Sequence, residues 1–348
     1  MIVSHRKGGG AHFAYTRTAD EVARDFAAFC RVDAETLVDR THHWNPRTAG
    51  CPVPKKLPLL FRSTRGGQLL SEYFHWQSRV KTPSKWMDSG ERVLQRYFSE
   101  PTFLTGASDR IQRATSRQLG RDELLYDVIR VNSALMTLTH FRVSVGRYLC
   151  DWLQPSSCLD FSAGWGDRLT SFLSCESVQK ITLIDPRPAC KKACLAQHAF
   201  VRSNKSLDFH QYGAEDALPT LPAQSVDLIV TSPPYFDQEK YGETPKEAAG
   251  QIRLKVSSTD EYLRVFLFPV LKECARILTV GGVLALNVDD HKKEGVVLCK
   301  PMLRFMGTLP HMQLLGTAGL RKGSGFGQGI TSTGVAKAEP VYLFRRVK

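Results

Sequence analysis

No apolar run in this 348-residue chain approaches the ~20 residues a membrane-spanning helix needs. The opening stretch MIVSHRKGGGAHFAYTRTAD has no apolar core of the kind a secretory signal carries. It is basic and free of acids until Asp20, so an organelle-targeting reading stays open beside that of a plain basic arm. The nine cysteines include no C-x-x-C. Cys190 and Cys194 are the closest pair, and the adjacent His42 and His43 have no partner pair nearby, so no metal site is expected. The cysteines read as reduced, mostly buried thiols of an intracellular protein, in the cytoplasm, nucleus or an organelle. No internal repeat or low-complexity tract is visible.

What the chain has in excess is positive charge, a formal +13, which suits a polyanion such as nucleic acid. Its character changes near residue 120, which suggests a basic, helix-rich accessory module over 1–120 and a second domain over 121–348. The spacing over 19–32 predicts an amphipathic helix. The stretch 41–87 carries Arg47, Lys55, Lys56, Arg62, Arg65, Arg79, Lys81 and Lys85 against one acid, Glu72. Trp44, Trp76 and Trp86 lie among them. Rings stack on bases and cations neutralise phosphates, so a nucleic-acid groove is one reading; a small aromatic core under a solvated face is the other.

Beyond residue 120 helical spacing runs to about residue 153. Short strand-like runs follow at 158–162, 181–185, 207–212, 226–231, 282–288, 312–318 and 340–346, with helical segments between most of them and the longest helix at 260–278. Such alternation predicts an α/β fold: a mostly parallel seven-stranded sheet with helices on both faces. The last two runs lack a helix between them and are expected to form a terminal antiparallel hairpin at the sheet edge.

Three strand ends carry chemistry. In LDFSAGWGDRL the first strand ends at Asp160, and Gly164 and Gly166 let the backbone turn sharply beside a ligand. No third glycine stands in register and no Lys-Ser/Thr pair follows, so a phosphate loop is not indicated. The second strand ends at Asp185, where an acid commonly holds ribose hydroxyls. After the third, Glu215 or Asp216 could reach an adenine amine; a helix cap is the plainer role for Asp216 alone. Acids at three consecutive strand ends suit a cationic or hydroxyl-rich nucleoside without phosphates, a description S-adenosylmethionine fits.

The fourth strand delivers Ser232, Pro233, Pro234 and Tyr235 to the same edge. Proline fixes φ and has no N–H, so the loop is left with acceptors, the Ser232 hydroxyl and the Pro233 carbonyl. Two acceptors can grip the hydrogens of an exocyclic base amine and aim its lone pair at a methyl sulfonium. Tyr235 would stack on a base that has left its helix. A polyproline turn is the bland alternative.

In their order, the Asp160–Gly166 loop, Asp185 and Ser232–Tyr235 resemble the Rossmann-like amino-methyltransferases, S-adenosylmethionine-dependent enzymes acting on cytosine N4 or adenine N6, usually in DNA. The resemblance covers residues 130–348 and implies a class I methyltransferase fold. It implies amine binding by Ser232 and Pro233 within the Ser232–Tyr235 catalytic loop. A cofactor loop of Asp160, Gly164 and Gly166 is implied too, with Asp185 on the ribose and Phe141 and Arg142 near the methionine end. Ser162 stands where the family often has Phe. The motif order leaves no large target-recognition insert, so recognition falls to 1–120, to 237–258 or to 321–334. Ser at 232 leans toward cytosine. Methylation of a ribosomal or transfer RNA base, and an inactive nucleic-acid-binding scaffold, are the alternatives. The chain could act as monomer or homodimer.

Overall fold

The computed structural model of the chain describes residues 3–5, 11–13, 17–46, 56–62, 66–82, 141–234, 236, 241, 250–290, 295–321 and 335–348. The proposed boundary at residue 120, the segments 83–140 and 322–334, and Tyr235 lie outside the described residues. So do Lys55, Arg65 and Lys85.

All seven strand-like runs beyond residue 120 are strands: β5 (Ser157–Asp160), β6 (Lys180–Ile184), β7 (Ser206–His210), β8 (Val226–Thr231), β9 (Leu278–Asn287), β10 (Met312–Arg321) and β11 (Ala336–Arg346). Their side chains alternate between two buried faces, as a sheet covered on both sides requires. Leu159, Ile229 and Leu284 face one core, and Cys158, Leu228, Val230 and Val283 the other. Helices α3 (Val143–Leu153), α4 (Asp167–Leu173) and α5 (Pro188–Phe200) cover the second face. The first is covered by the short α6 (Ala214–Ala217), a long helix and α9 (Cys299–Thr308). The long helix starts as α7 (Thr259–Tyr262), passes through a π-helical turn (Leu263–Leu267) and continues as α8 (Phe268–Ile277).

The strand order β7-β6-β5-β8-β9-β11-β10 is that of a class I methyltransferase, with β11 running antiparallel between β9 and β10. The β10–β11 hairpin is present, but its antiparallel strand is interior rather than at the edge. The edge is taken by residues from before position 120. β4 (Lys56–Phe61) pairs in parallel with β10, and β3 (Trp44–Pro46) with β11, making nine strands. The Trp44 indole lies over Gly319, where a Cβ would come within 2.6 Å of the ring, and joins Leu60, Ala336 and Ala338 in a small core.

Two further strands, β1 (Val3–His5) and β2 (Ala11–Phe13), pair only with each other. Helix α1 (Ala19–Cys30) forms where its periodicity predicts, and Thr18 and Glu21 close a capping box at its start. Helix α2 (Gln68–Lys81) packs against α4 and α5. Its Ser71 hydroxyl donates to Asp167 at 2.5 Å, and Phe74 meets Phe200 edge-on. The described parts of 17–82 are thus built into the sheet and its second face.

This placement corrects the groove reading for its rings. Trp76 is 2% exposed, Phe61 is fully buried and Trp44 nearly so, which is the small-core alternative. Arg79 is buried over the Trp76 ring and cannot meet a phosphate from there. Lys56 and Arg62 are exposed, each also donating to a backbone carbonyl. Lys81 ends α2.

Candidate active site

The chain builds β5, β6 and β7 outward in one direction, then crosses back to lay β8 on the other side of β5. Ligands of open α/β sheets bind at such a switch point, beyond the carboxyl ends of the strands. A cleft of about 320 Å³ opens there.

The glycine loop between β5 and α4 forms its floor. Gly164 and Gly166 hold φ of 57° and 71°, left-handed values that side chains resist. Their reasons differ. Gly164 lines the cleft. Gly166 faces inward, where a Cβ would lie 2.6 Å from His75 Nε2 and collide with the Gln197 amide. Ser162 and Phe141 line the cleft, and Arg168 stacks on the Phe141 ring at 4.8 Å. Arg142 stands at the start of α3, outside the lining, with Nη1 3.5 Å from Gln68 Oε1.

Asp160 is not a cleft residue. It is fully buried, and its carboxylate ties three elements together. It accepts from Arg168 Nε at 2.5 Å, the Ser162 amide at 3.0 Å and the Thr231 hydroxyl at 2.9 Å. Arg168 also donates to the Ser162 carbonyl. Burial pushes the Asp160 carboxyl above its ordinary value, although Arg168 and the hydrogen bonds oppose this. Its expected contact with the cofactor becomes a role beneath the site, joining the glycine loop to the residue just before Ser232.

Asp185 lines the cleft at the end of β6. Its carboxylate accepts from the Gly164 amide and from the amide and guanidinium of Arg187, all at 3.0–3.1 Å. Arg187 lies against the rings of Trp165 and Tyr241, 4.5 and 5.0 Å from their centroids. Burial works against its charge, but the Asp185 carboxylate outweighs that and keeps the guanidinium protonated. Glu215 lines the cleft and pairs with Lys255 at 2.7 Å. Its carboxylate folds back over Gly213, where a Cβ would come within 2.5 Å. Asp216 is exposed, outside the lining, and does not cap its helix.

From β8, Ser232, Pro233 and Pro234 enter the same cleft. The fully buried Tyr262, one residue before the π-helical turn, donates its hydroxyl to the Pro234 carbonyl at 2.7 Å. The acceptors this loop can still offer are the Ser232 hydroxyl and the Pro233 carbonyl. Gln251, Asn287 and Glu339 also line the cleft, beyond the candidate residues named individually from the sequence. No local spacing marks Tyr262, which long-range packing brings here, whereas Arg187 follows Asp185 by two positions in the same loop. Among the described residues no cluster of His, Cys, Asp or Glu could hold a metal ion, and no helix is long and apolar enough to cross a membrane.

Residues 226–340 match the DNA methylase family model. The match runs from β8 into β11 and contains the Ser-Pro-Pro loop, in agreement with the amino-methyltransferase resemblance of the motifs. Among solved structures, TrmN from Thermus thermophilus is similar at 14% identity and a TM-score of 0.39, covering 63% of this chain and 52% of that one. NSun6 from Pyrococcus horikoshii is similar at 14% identity and 0.42, covering 60% and 53%. The N-methyltransferase NodS from Bradyrhizobium japonicum is similar at 11% identity and 0.38, covering 59% and 93%. The chain thus spans about half the length of the first two. No curated protein matches. At this similarity the fold rests on the strand order itself.

Proposed function

We propose that this protein is an S-adenosylmethionine-dependent methyltransferase that modifies an exocyclic base amine in nucleic acid, cytosine N4 in DNA first and adenine N6 second. The observation that carries the reading is a single cleft shared by Ser232, Pro233 and Pro234 and by Gly164, Asp185 and Glu215. The DNA methylase match over residues 226–340, the stretch that bears the proline loop, supports it.

The lining fits the cofactor. The cleft is of ligand size, its floor is a glycine turn, and the carboxylates of Asp185 and Glu215 stand at the strand ends that would face ribose and adenine donors. When bound, the cofactor supplies an electrophilic methyl group on a sulfonium. The chain's residues position the other reactant. Ser232 Oγ and the Pro233 carbonyl accept the two amine hydrogens, which draws the nitrogen toward a tetrahedral shape and directs its lone pair. The prolines withhold backbone N–H donors that would compete for that lone pair. Tyr262 fixes the loop through the Pro234 carbonyl, and Asp160 fixes Thr231 at its root. Tyr235, by its place in the motif, stacks on the base.

The test is nucleoside mass analysis after incubating the full chain and labelled S-adenosylmethionine with genomic DNA and, separately, with total RNA. Label in N4-methylcytosine from the DNA pool is expected. Label in N6-methyladenine reassigns the base, and label in the RNA pool alone reassigns the substrate. No label, with no cofactor binding by calorimetry, turns the reading to a nucleic-acid-binding scaffold. Replacing Ser232 and Tyr235 together with Ala should abolish transfer while cofactor binding persists; retained transfer would refute the assignment.

A further inference from the structure

The Asp185 carboxylate is already filled. Oδ1 accepts from the backbone amide and Nε of Arg187, both at 3.0 Å. Oδ2 accepts from the Gly164 amide at 3.0 Å and Arg187 Nη2 at 3.1 Å. An ionised carboxylate has about four lone-pair sites, so no acceptor remains for a further donor. The hydroxyls of a ribose are donors to such a carboxylate and need the same lone pairs. Guanidinium and diol therefore compete for one group.

We propose that Arg187 is the gate of the cofactor cleft: its guanidinium occupies the ribose-binding carboxylate and must leave Asp185 for a nucleoside to be held there. The inference rests on the cofactor reading above. The rest of the latch is equally specific. Nη2 also donates to the Gly164 carbonyl at 2.8 Å, which clamps the glycine loop to the end of β6. The guanidinium lies against two rings, Trp165 from the glycine loop and Tyr241 from beyond the Ser-Pro-Pro loop, themselves 6.0 Å apart. Release of Arg187 frees contacts on both sides of the cleft at once. Cofactor entry is thereby coupled to the position of the Tyr241 ring. Arg187 sits just before α5 on an ordinary extended backbone.

A gate and a support predict opposite signs. The affinity of a gated site is its intrinsic affinity reduced by the fraction of molecules that are open. Arg187→Met keeps an unbranched chain against the rings and removes the side-chain donors. It should bind S-adenosylhomocysteine about tenfold more tightly than wild type, the factor equivalent to one charge-assisted hydrogen bond. Arg187→Lys keeps the charge without the fork and should fall between. If Arg187 merely supports Asp185 and Gly164, both substitutions weaken binding.

The experiment is calorimetric titration of the full-length wild type and both variants with S-adenosylhomocysteine, with thermal melting as the check on folding. Tighter binding by folded Arg187→Met, or binding by the variants alone, supports the gate. Equal or weaker binding overturns it, with wild-type binding left intact as evidence that the cofactor reading stands. If Arg187→Met does not fold, Arg187→Lys decides by the same sign. No binding by any of the three proteins overturns the cofactor reading, and the gate with it.

Discussion

Replacing Asp160 with Asn separates a residue that holds the site together from one that touches the cofactor. The side chain is fully buried, with Arg168 Nε at 2.5 Å and bonds to the Ser162 amide and the Thr231 hydroxyl. Asn can still accept from Ser162 and Thr231 through its oxygen. Its amide would then face Arg168 donor to donor, leaving a buried cation without its partner. Breaking one half of a buried pair costs about 3–5 kcal/mol. Burial already disfavours the Asp160 charge, so the lower end, about 3 kcal/mol, is expected. At roughly 2–4 °C per kcal/mol for a domain of this class, the melting temperature should fall by on the order of 10 °C. Calorimetric melting reads this, and titration with S-adenosylhomocysteine well below the transition reads the site. Arg168→Met added to Asp160→Asn should recover part of the loss, because the unpaired charge is gone. An unchanged melting temperature combined with lost cofactor affinity would refute the argument and return Asp160 to the cleft.

Tyr262→Phe leaves the Pro234 carbonyl without its buried donor and should lower turnover about tenfold, with cofactor affinity little changed; single-turnover transfer beside calorimetry checks this, and equal loss of both would contradict it. Gly166→Ala should destabilise by about 3 kcal/mol, since a left-handed φ and close approaches to His75 and Gln197 add together. Gly164→Ala, where the nearest atom to a Cβ is the Ser162 carbonyl at 3.3 Å, should cost less stability and more cofactor affinity; melting and titration of the pair rank the two effects. Asp39 supplies an acid-sensitive corner. Burial alone would raise its carboxyl, but bonds from Thr41 and His42 outweigh burial and hold it well below the usual range. A depressed folded value means stability that is present above the ordinary carboxylate pKa of about 4 and lost as pH falls toward the folded value. Urea midpoints should therefore drop through that range, and Asp39→Asn should flatten the acid side of the profile.

Period and punctuation made the seven strands beyond residue 120 and the long helix among them legible. Leu228, Ile229 and Val230 alternate between two apolar faces, and Gly164 and Gly166 mark the turn into α4. The cleft residues Ser232, Pro233, Asp185 and Glu215 were legible because strand ends in such a sheet converge on one edge. Trp44 and Trp76 show the opposite. A ring beside arginines has the same local sequence whether it waits for a base or fills a core, and Gly319, which seats Trp44, is 275 positions away.

The sequence by itself determined the α/β alternation, the order of the loops and the acceptor-rich chemistry of the proline turn, all consequences of local backbone preference and side-chain type. The tertiary structure alone decided that Asp160 lies beneath the cleft, that Tyr262 holds the Ser-Pro-Pro loop and that β3 and β4 extend the sheet. Each depends on which distant groups burial forces together. A buried charge or hydroxyl must find a partner wherever the fold places one, and no spacing in the chain announces that partner in advance.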